Sequence, residues 1–132
     1  MQENEISEIV IKEACYVHSA FGPGLLESVY EIALFTRLSQ RGLKVRKQVP
    51  IPVLLDGVTL EVGFRADLIV EEKLILEIKS VEALHPVVYM QLKTYMRFTG
   101  IHVGLVLNFY VNSMKDGIKR YVYQYNGPTL SK

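Results

Sequence analysis

The segment RADLIVEEKLILEIKSVE, residues 65–82, constrains the fold of this chain more than any other. Side chains along a strand point alternately to opposite faces, and apolar residues alternate in this way on both sides of Glu71–Lys73. The pattern therefore predicts an antiparallel hairpin with a short turn at these residues. A slip of one residue would move every apolar side chain to the opposite face, so the register is well specified. The apolar residues that then face each other are Leu68 and Leu76, Val70 and Leu74, and Ala66 and Ile78.

Two amphipathic helices are predicted before this hairpin. Apolar residues recur at steps of three and four over residues 5–21, which is the pattern of a helix with one buried face. The glycines and the proline of residues 22–24 end that helix. A second helix is predicted from about Leu25 to Gln40, and Gly42 follows its end.

The residues between the second helix and the hairpin predict further strands. Residues 43–70 are rich in valine and isoleucine, and Asp56–Gly57 is a typical hairpin turn. Pro50 and Pro52 have no backbone N–H to donate to a neighbouring strand. The first of these strands is therefore expected at an edge of the sheet.

A crossover helix and a central strand are predicted after the hairpin. The helix begins at Pro86 and runs to about Thr99, and Gly100 ends it. Residues 101–109 form a nearly unbroken apolar run, which is typical of a strand covered on both faces. The crossover makes this strand a parallel neighbour of the strand before the helix. Residues 118–125 predict a last strand or a short helix, so the fold class is α/β, with a mixed β-sheet flanked by helices.

Length and composition favour a single intracellular domain. A chain of 132 residues suits one hydrophobic core, so residues 1–132 are expected to form one domain. With one cysteine, Cys15, no intrachain disulfide can form, and a cytoplasmic location is expected. No apolar run reaches the ~20 residues that cross a bilayer, and the amino terminus lacks a signal-peptide pattern, so no membrane association is expected.

The polar side of the hairpin places two carboxylates against each other. In the predicted register Asp67 lies across from Glu77, and like charges in such a position destabilise a sheet. A divalent cation would neutralise them, and Mg²⁺ takes one or two carboxylates together with water and phosphate oxygens. Lys79 is two residues from Glu77 and points the same way, so its ammonium could orient or activate an attacking water. The alternative is a solvated surface ladder in which Arg65 and Lys79 flank the two acids.

Several motifs resemble those of known nucleases. Asp67 followed by Glu77–Lys79 resembles the core motif of the PD-(D/E)xK nuclease superfamily, with Ala66 in place of its usual proline. Gln91 and Tyr95 resemble the Q-x-x-x-Y element of the RecB-like branch.

A second string resembles one small family in that superfamily. GLLESVY, with Gly24, Glu27 and Tyr30, is similar to the motif of the GxxExxY family, and the similarity extends over residues 5–120. For Glu27 and Tyr30, ordinary structural roles at the surface and in the core stay open beside roles in a site.

The resemblance implies a restriction-endonuclease-like core and hydrolysis of phosphodiester bonds with Mg²⁺ or Mn²⁺. The residues that it implies for metal binding are Asp67, Glu77, the carbonyl of Ile78, and Glu27. Those implied for catalysis are Lys79, Glu27, Gln91 and Tyr95, and those for phosphate contact are Tyr30, Arg46 and Lys47.

The partner implied by the resemblance is nucleic acid, with DNA favoured over RNA, and the small size suggests a homodimer or a larger complex. Two other functions stay open. One is a nuclease-like fold that serves binding or assembly without turnover, and the other is a phosphohydrolase for small molecules.

Overall fold

The computed structural model describes residues 1–61 and 63–125. Five strands form a mixed sheet in the order β1-β4-β5-β6-β7. The strand bounds are β1 Val45–Pro50, β2 Val53–Leu55, β3 Val58–Leu60, β4 Arg65–Val70, β5 Leu74–Lys79, β6 Val103–Asn108 and β7 Ile118–Val122. The segment 126–132, which the sequence suggests is a loose tail, lies outside the described residues.

Within the described residues, three helices cover the sheet, as predicted. They are α1 Glu3–Phe21, α2 Glu27–Gln40 and α3 Val87–Thr99, and a 3-10 helix at Met114–Gly117 precedes β7. A first apolar cluster joins α1 and α2 to one side of the sheet, where its strand residues include Leu68, Leu76 and Leu105. A second cluster joins α3 to Ile69, Ile75, Val106 and other residues on the other side. The sheet is therefore buried on both faces.

The predicted hairpin register is confirmed for the residues nearest the turn. The antiparallel ladder of β4 and β5 pairs Leu68 with Leu76 and Val70 with Leu74. β6 lies between β5 and β7, is parallel to β5, and is buried at all six residues. The predicted crossover and central strand are therefore confirmed, and of the two alternatives for residues 118–125 the strand is found at Ile118–Val122.

The strands before the hairpin belong to two different sheets. β1 is an edge strand, as its prolines predict, but it pairs directly with β4. β2 and β3 turn at Asp56–Gly57, as the sequence predicts, and form a separate two-stranded sheet. Sequence periodicity identifies such strands but carries no information about which partner each one takes.

One predicted face assignment is wrong. Ala66 was expected to share an apolar face with Ile78, but Ala66 packs in the α3 cluster and Ile78 in the α1–α2 cluster. The alternation of faces is also interrupted in the neighbouring edge strand β1. Its Val45 packs on the α1–α2 side of the sheet and its Val49 on the α3 side. Between these two valines Gln48 has a φ of 49°, which interrupts the regular alternation of β1.

No helix in residues 1–61 and 63–125 is long and apolar enough to cross a membrane.

Candidate active site

Asp67 and Glu77, here called the carboxylate pair, lie where β4 and β5 separate. The ladder ends at Leu68 and Leu76, so the predicted register does not continue as a ladder to Asp67 and Glu77. Each carboxylate instead binds the backbone of the opposite strand. The Asp67 N–H donates to Oε2 of Glu77 at 3.0 Å, and the Ile78 N–H donates to Oδ2 of Asp67 at 2.7 Å. These reciprocal bonds fix the two acids beside each other.

Burial makes ionisation of the carboxylate pair unfavourable. Glu77 is 6% exposed, and burial raises its pKa to about 8, with the charge of Asp67 adding to the effect. Burial also raises the pKa of Asp67, although the hydrogen bond from Ile78 and the charge of Lys79 oppose this shift. Since Glu77 is buried, the alternative of an open, solvated ladder is wrong. Burial therefore favours a proton or a cation at this pair.

Lys79 and Glu27 lie at the carboxyl end of β5. The charge of Lys79 acts on both members of the carboxylate pair, but Lys79 forms no ion pair within 4.0 Å in the described part of the chain. Glu27 begins α2, and its Oε2 accepts a hydrogen bond from the Ser80 N–H at 3.0 Å. This bond brings the start of α2 to the residue that follows Lys79. The structure therefore places Glu27 beside the strand that carries Glu77 and Lys79.

Glu31 and Gln48 are site residues that the sequence reasoning missed. Nε2 of Gln48 lies 2.9 and 3.0 Å from the two carboxylate oxygens of Glu31, and 3.3 Å from Oδ1 of Asp67. Burial raises the pKa of Glu31, and the hydrogen bond from Gln48 opposes this shift. Glu31 follows Glu27 by four residues, so the helical period places both on one face of α2. That spacing was a usable signal for Glu31, whereas Gln48 resembles an ordinary strand residue.

Tyr95 lies close to the carboxylate pair, and Gln91 has no bond to it. Tyr95 is buried in the α3 cluster, with its ring centroid 6.0 Å from that of Phe64. Burial raises the pKa of Tyr95 to about 12, and the charges of Glu77 and Asp67 contribute. Gln91 is partly buried one helical turn earlier, and its side chain makes no hydrogen bond within residues 1–61 and 63–125.

Tyr30 is a core residue. Its ring stacks on Phe109 with a centroid distance of 4.3 Å, and the residue is 0% exposed. Its hydroxyl donates to the Gly22 carbonyl and accepts a hydrogen bond from the Leu25 N–H. Of the two roles left open for Tyr30, the structure favours the one in the core, because these backbone contacts close the turn between α1 and α2. Gly24, with a φ of 102°, provides the backbone conformation that this turn requires.

The two cations expected to contact phosphate differ in their surroundings. Arg46 forms two parallel hydrogen bonds of 2.8 Å with Glu72, at the turn between β4 and β5. Lys47 is exposed, lies over the ring of Phe35, and is close enough to Glu31 to favour its ionised form. Lys47 is therefore available beside the acidic residues, while Arg46 would have to exchange Glu72 for a phosphate.

The donor atoms of the carboxylate pair suit a divalent cation. Within the described residues, no three His, Cys, Asp or Glu side chains are already arranged to hold a metal ion. However, Oε1 of Glu77 accepts no hydrogen bond there, and Oδ1 of Asp67 receives only the 3.3 Å contact from Gln48. One buried and one partly buried carboxylate, each with an oxygen that can still bind a cation, are a donor set that Mg²⁺ completes with water and phosphate oxygens.

Comparisons with known proteins agree with this geometry. A family model for the PD-(D/E)XK nuclease superfamily matches residues 4–121. No curated protein and no solved structure gives a significant match. The five-stranded mixed sheet with flanking helices is consistent with the restriction-endonuclease-like fold. Because the family model matches well over half of the chain, the chain belongs to the PD-(D/E)XK nuclease superfamily.

Proposed function

We propose that this protein is a metal-dependent nuclease that hydrolyses phosphodiester bonds of nucleic acid, with Mg²⁺ or Mn²⁺ as its cofactor. The observation that carries the proposal is the carboxylate pair, in which the buried Glu77 and the partly buried Asp67 each bind the backbone of the other's strand beside Lys79. A fold without catalytic function has little physical reason to keep two such acids together, because each makes the other harder to ionise.

The residues of the site would divide the work between binding and proton transfer. Asp67, Glu77 and the carbonyl of Ile78 would hold the cation, and Glu27 would assist directly or through water. The bound cation would supply positive charge that lowers the pKa of a water and stabilises charge on the phosphate. Lys79 would position or activate the attacking water.

Other residues would organise the cleft. Tyr95 would hold the apolar side of the site, and Gln91 would contact phosphate or position Lys79. Lys47 would meet the nucleic-acid backbone, because it is exposed beside Glu31.

Within the superfamily, we infer that the chain belongs with the GxxExxY proteins of the RecB-like branch. Support comes from Gly24, Glu27 and Tyr30, which together shape the turn that brings α2 to β5. Further support comes from Gln91 and Tyr95 on one face of α3. We also propose that the whole chain acts as one nuclease domain, on DNA in preference to RNA.

The test is cleavage of labelled single-stranded and double-stranded DNA and RNA in the presence of Mn²⁺. The matched variant is Asp67→Asn, because its amide oxygen can still accept the Ile78 N–H while its charge is lost. We expect the wild-type protein to cut at least one substrate, and we expect EDTA and Asp67→Asn each to abolish the cutting.

The other outcomes identify where the proposal fails. Cutting that persists in Asp67→Asn would show that the carboxylate pair is not the active site. Mn²⁺ binding with no cutting of any polymer, but with hydrolysis of free nucleotides, would identify a small-molecule phosphohydrolase. If the protein neither binds Mn²⁺ nor cuts any substrate, a role in binding or assembly is favoured.

A further inference from the structure

We propose that Gln48 is a positioning residue that holds Asp67 in its metal-binding orientation by linking it to Glu31 of α2. This inference rests on the nuclease function proposed above. It concerns a residue of the edge strand β1 that belongs to none of the motifs in the sequence.

The first observation is the set of contacts made by the Gln48 amide. Its Nε2 lies 2.9 and 3.0 Å from the oxygens of Glu31, and 3.3 Å from Oδ1 of Asp67. An amide nitrogen has two hydrogens and no charge, so it can donate to two carboxylates at once. A carboxylate at this position would repel both acids, and an apolar side chain would leave Glu31 and Oδ1 of Asp67 without this donor. Glutamine therefore suits a position between two negative groups.

The second observation is the backbone conformation of Gln48. Its φ of 49° lies in the left-handed region, which residues other than glycine, asparagine and aspartate rarely adopt. The ladder of β1 with β4 pairs Lys47 with Leu68 and Val49 with Ala66, and omits Gln48 and Asp67 between them. The Gln48 carbonyl accepts a hydrogen bond from Arg65 at 3.4 Å. Strained residues of this kind persist where the surrounding structure and the function require them.

The third observation is that both oxygens of Asp67 have donors from different elements. Oδ2 accepts from the Ile78 N–H of β5, and Oδ1 faces Gln48 of β1. Gln48 in turn contacts α2 through Glu31. The carboxylate of Asp67 is thus held from two sides, and its rotation is restricted before any cation binds. Residues that orient a metal ligand in this way typically change metal affinity by ~10–100-fold when they are replaced.

The test measures Mn²⁺ binding, by calorimetry or by the electron paramagnetic resonance of free Mn²⁺, and does not depend on cleavage. Gln48→Gly removes the side-chain amide, and glycine adopts a positive φ without strain. Gln48→Asn keeps a residue that tolerates this φ but shortens the side chain by one methylene. The matched control is Gln124→Gly, because Gln124 is exposed and has a φ of 52° outside the site.

We expect both Gln48 variants to raise the dissociation constant for Mn²⁺ by ~10–100-fold and Gln124→Gly to leave it unchanged. Combining Gln48→Gly with Glu31→Ala should weaken binding by less than the product of the two single effects, because both variants break the same link. The urea midpoint of each variant is measured alongside. A residue that only braced the fold would lower that midpoint and leave the Mn²⁺ affinity as it is.

Two results would overturn the proposal, and they differ from each other. If the wild-type protein and both Gln48 variants bind Mn²⁺ equally well, Gln48 has no positioning role, while the proposed nuclease site stands. If the wild-type protein binds no Mn²⁺, the proposed function fails and the role of Gln48 fails with it.

Discussion

Replacing Glu77 by glutamine should make the metal-free protein more stable at neutral and alkaline pH. Glu77 is almost fully buried, and burial together with the charge of Asp67 raises its pKa from 4.5 to about 8. The amide of glutamine has nearly the same shape as the carboxylate. Its oxygen can still accept the hydrogen bond from the Asp67 N–H. The substitution therefore removes the ionisable group and keeps the packing.

The sign of the effect follows from where the proton is held. At pH below 4.5 both the folded and the unfolded chain hold the Glu77 proton, so the raised pKa carries no penalty. Between pH 4.5 and about 8 the unfolded chain has released this proton while the folded chain keeps it, so stability falls as pH rises. Above about pH 8 the penalty is constant. The contribution of Glu77 to the stability of the metal-free protein is thus negative at high pH.

The magnitude is large enough to measure. Each pH unit between the two pKa values lowers the free energy of unfolding by ~1.4 kcal/mol, which gives a total on the order of 5 kcal/mol at pH 8. Below pH 4.5 the buried acid and the amide are both neutral, so the two proteins should then be about equally stable. We therefore expect Glu77→Gln to be ~4–5 kcal/mol more stable than wild type at pH 8 in EDTA, and the difference to vanish near pH 4.5.

The assay is urea unfolding followed by circular dichroism in EDTA, at several pH values between 5 and 9. The control is Glu8→Gln, because Glu8 is exposed on α1 and its replacement releases no buried charge. Saturating Mn²⁺ should stabilise wild type at pH 8 by ~3 kcal/mol when it is present at 100 times its dissociation constant, and should stabilise Glu77→Gln much less. If Glu77→Gln is no more stable than wild type at pH 8 in EDTA, then burial and the charge of Asp67 do not raise the pKa of Glu77 as argued above.

Three further substitutions test the site and its supports. Lys79→Ala should keep the fold and lower the cleavage rate by ~100–10,000-fold. The control Lys12→Ala, on the exposed side of α1, should cut like wild type. Similar cleavage rates for the two variants would exclude Lys79 from the mechanism. Tyr30→Phe should lower the free energy of unfolding by ~1–3 kcal/mol, because it removes both backbone contacts of the hydroxyl and keeps the ring stack, and an unchanged urea midpoint would contradict this role. Gly117→Ala should lower the free energy of unfolding by about 3 kcal/mol or more, because a Cβ there would lie 2.0 Å from the Asn108 carbonyl oxygen. A thermal melt identical to that of wild type would show that the backbone at Gly117 can shift at little cost.

Much of the fold could be predicted because its strongest signals are local. The register of β4 and β5 follows from period-two alternation around a short turn, and it holds from Leu68 to Val70. The parallel pairing of β5 with β6 could be predicted because a crossover helix connects them, and strands joined in this way lie parallel in one sheet. The pairing of β1 with β4 could not be predicted in this way, because residues 51–64 intervene and alternation does not identify a distant partner.

The candidate site was predictable to the extent that chemistry and spacing coincide. Asp67, Glu77 and Lys79 stand out because charged residues interrupt apolar strands. Tyr30 could not be assigned from its motif alone, since a tyrosine near a helix start serves packing and binding equally well. Its hydrogen bonds decide the matter, because both atoms that they engage belong to the backbone of the preceding turn.

Gln48 could not be found from sequence for a physical reason. A positive φ in a residue other than glycine leaves no compositional mark, and the residues around Gln48 continue to read as an ordinary edge strand. Yet this one conformation lets Val45 and Val49 pack on opposite sides of the sheet, and it lies opposite the residue that makes the nuclease motif. Proteins break local rules mainly where function requires it. We therefore interpret the change of face in β1 and the proposed role of Gln48 as one feature. The irregular backbone at Gln48 allows its side-chain amide to reach both Glu31 and Asp67.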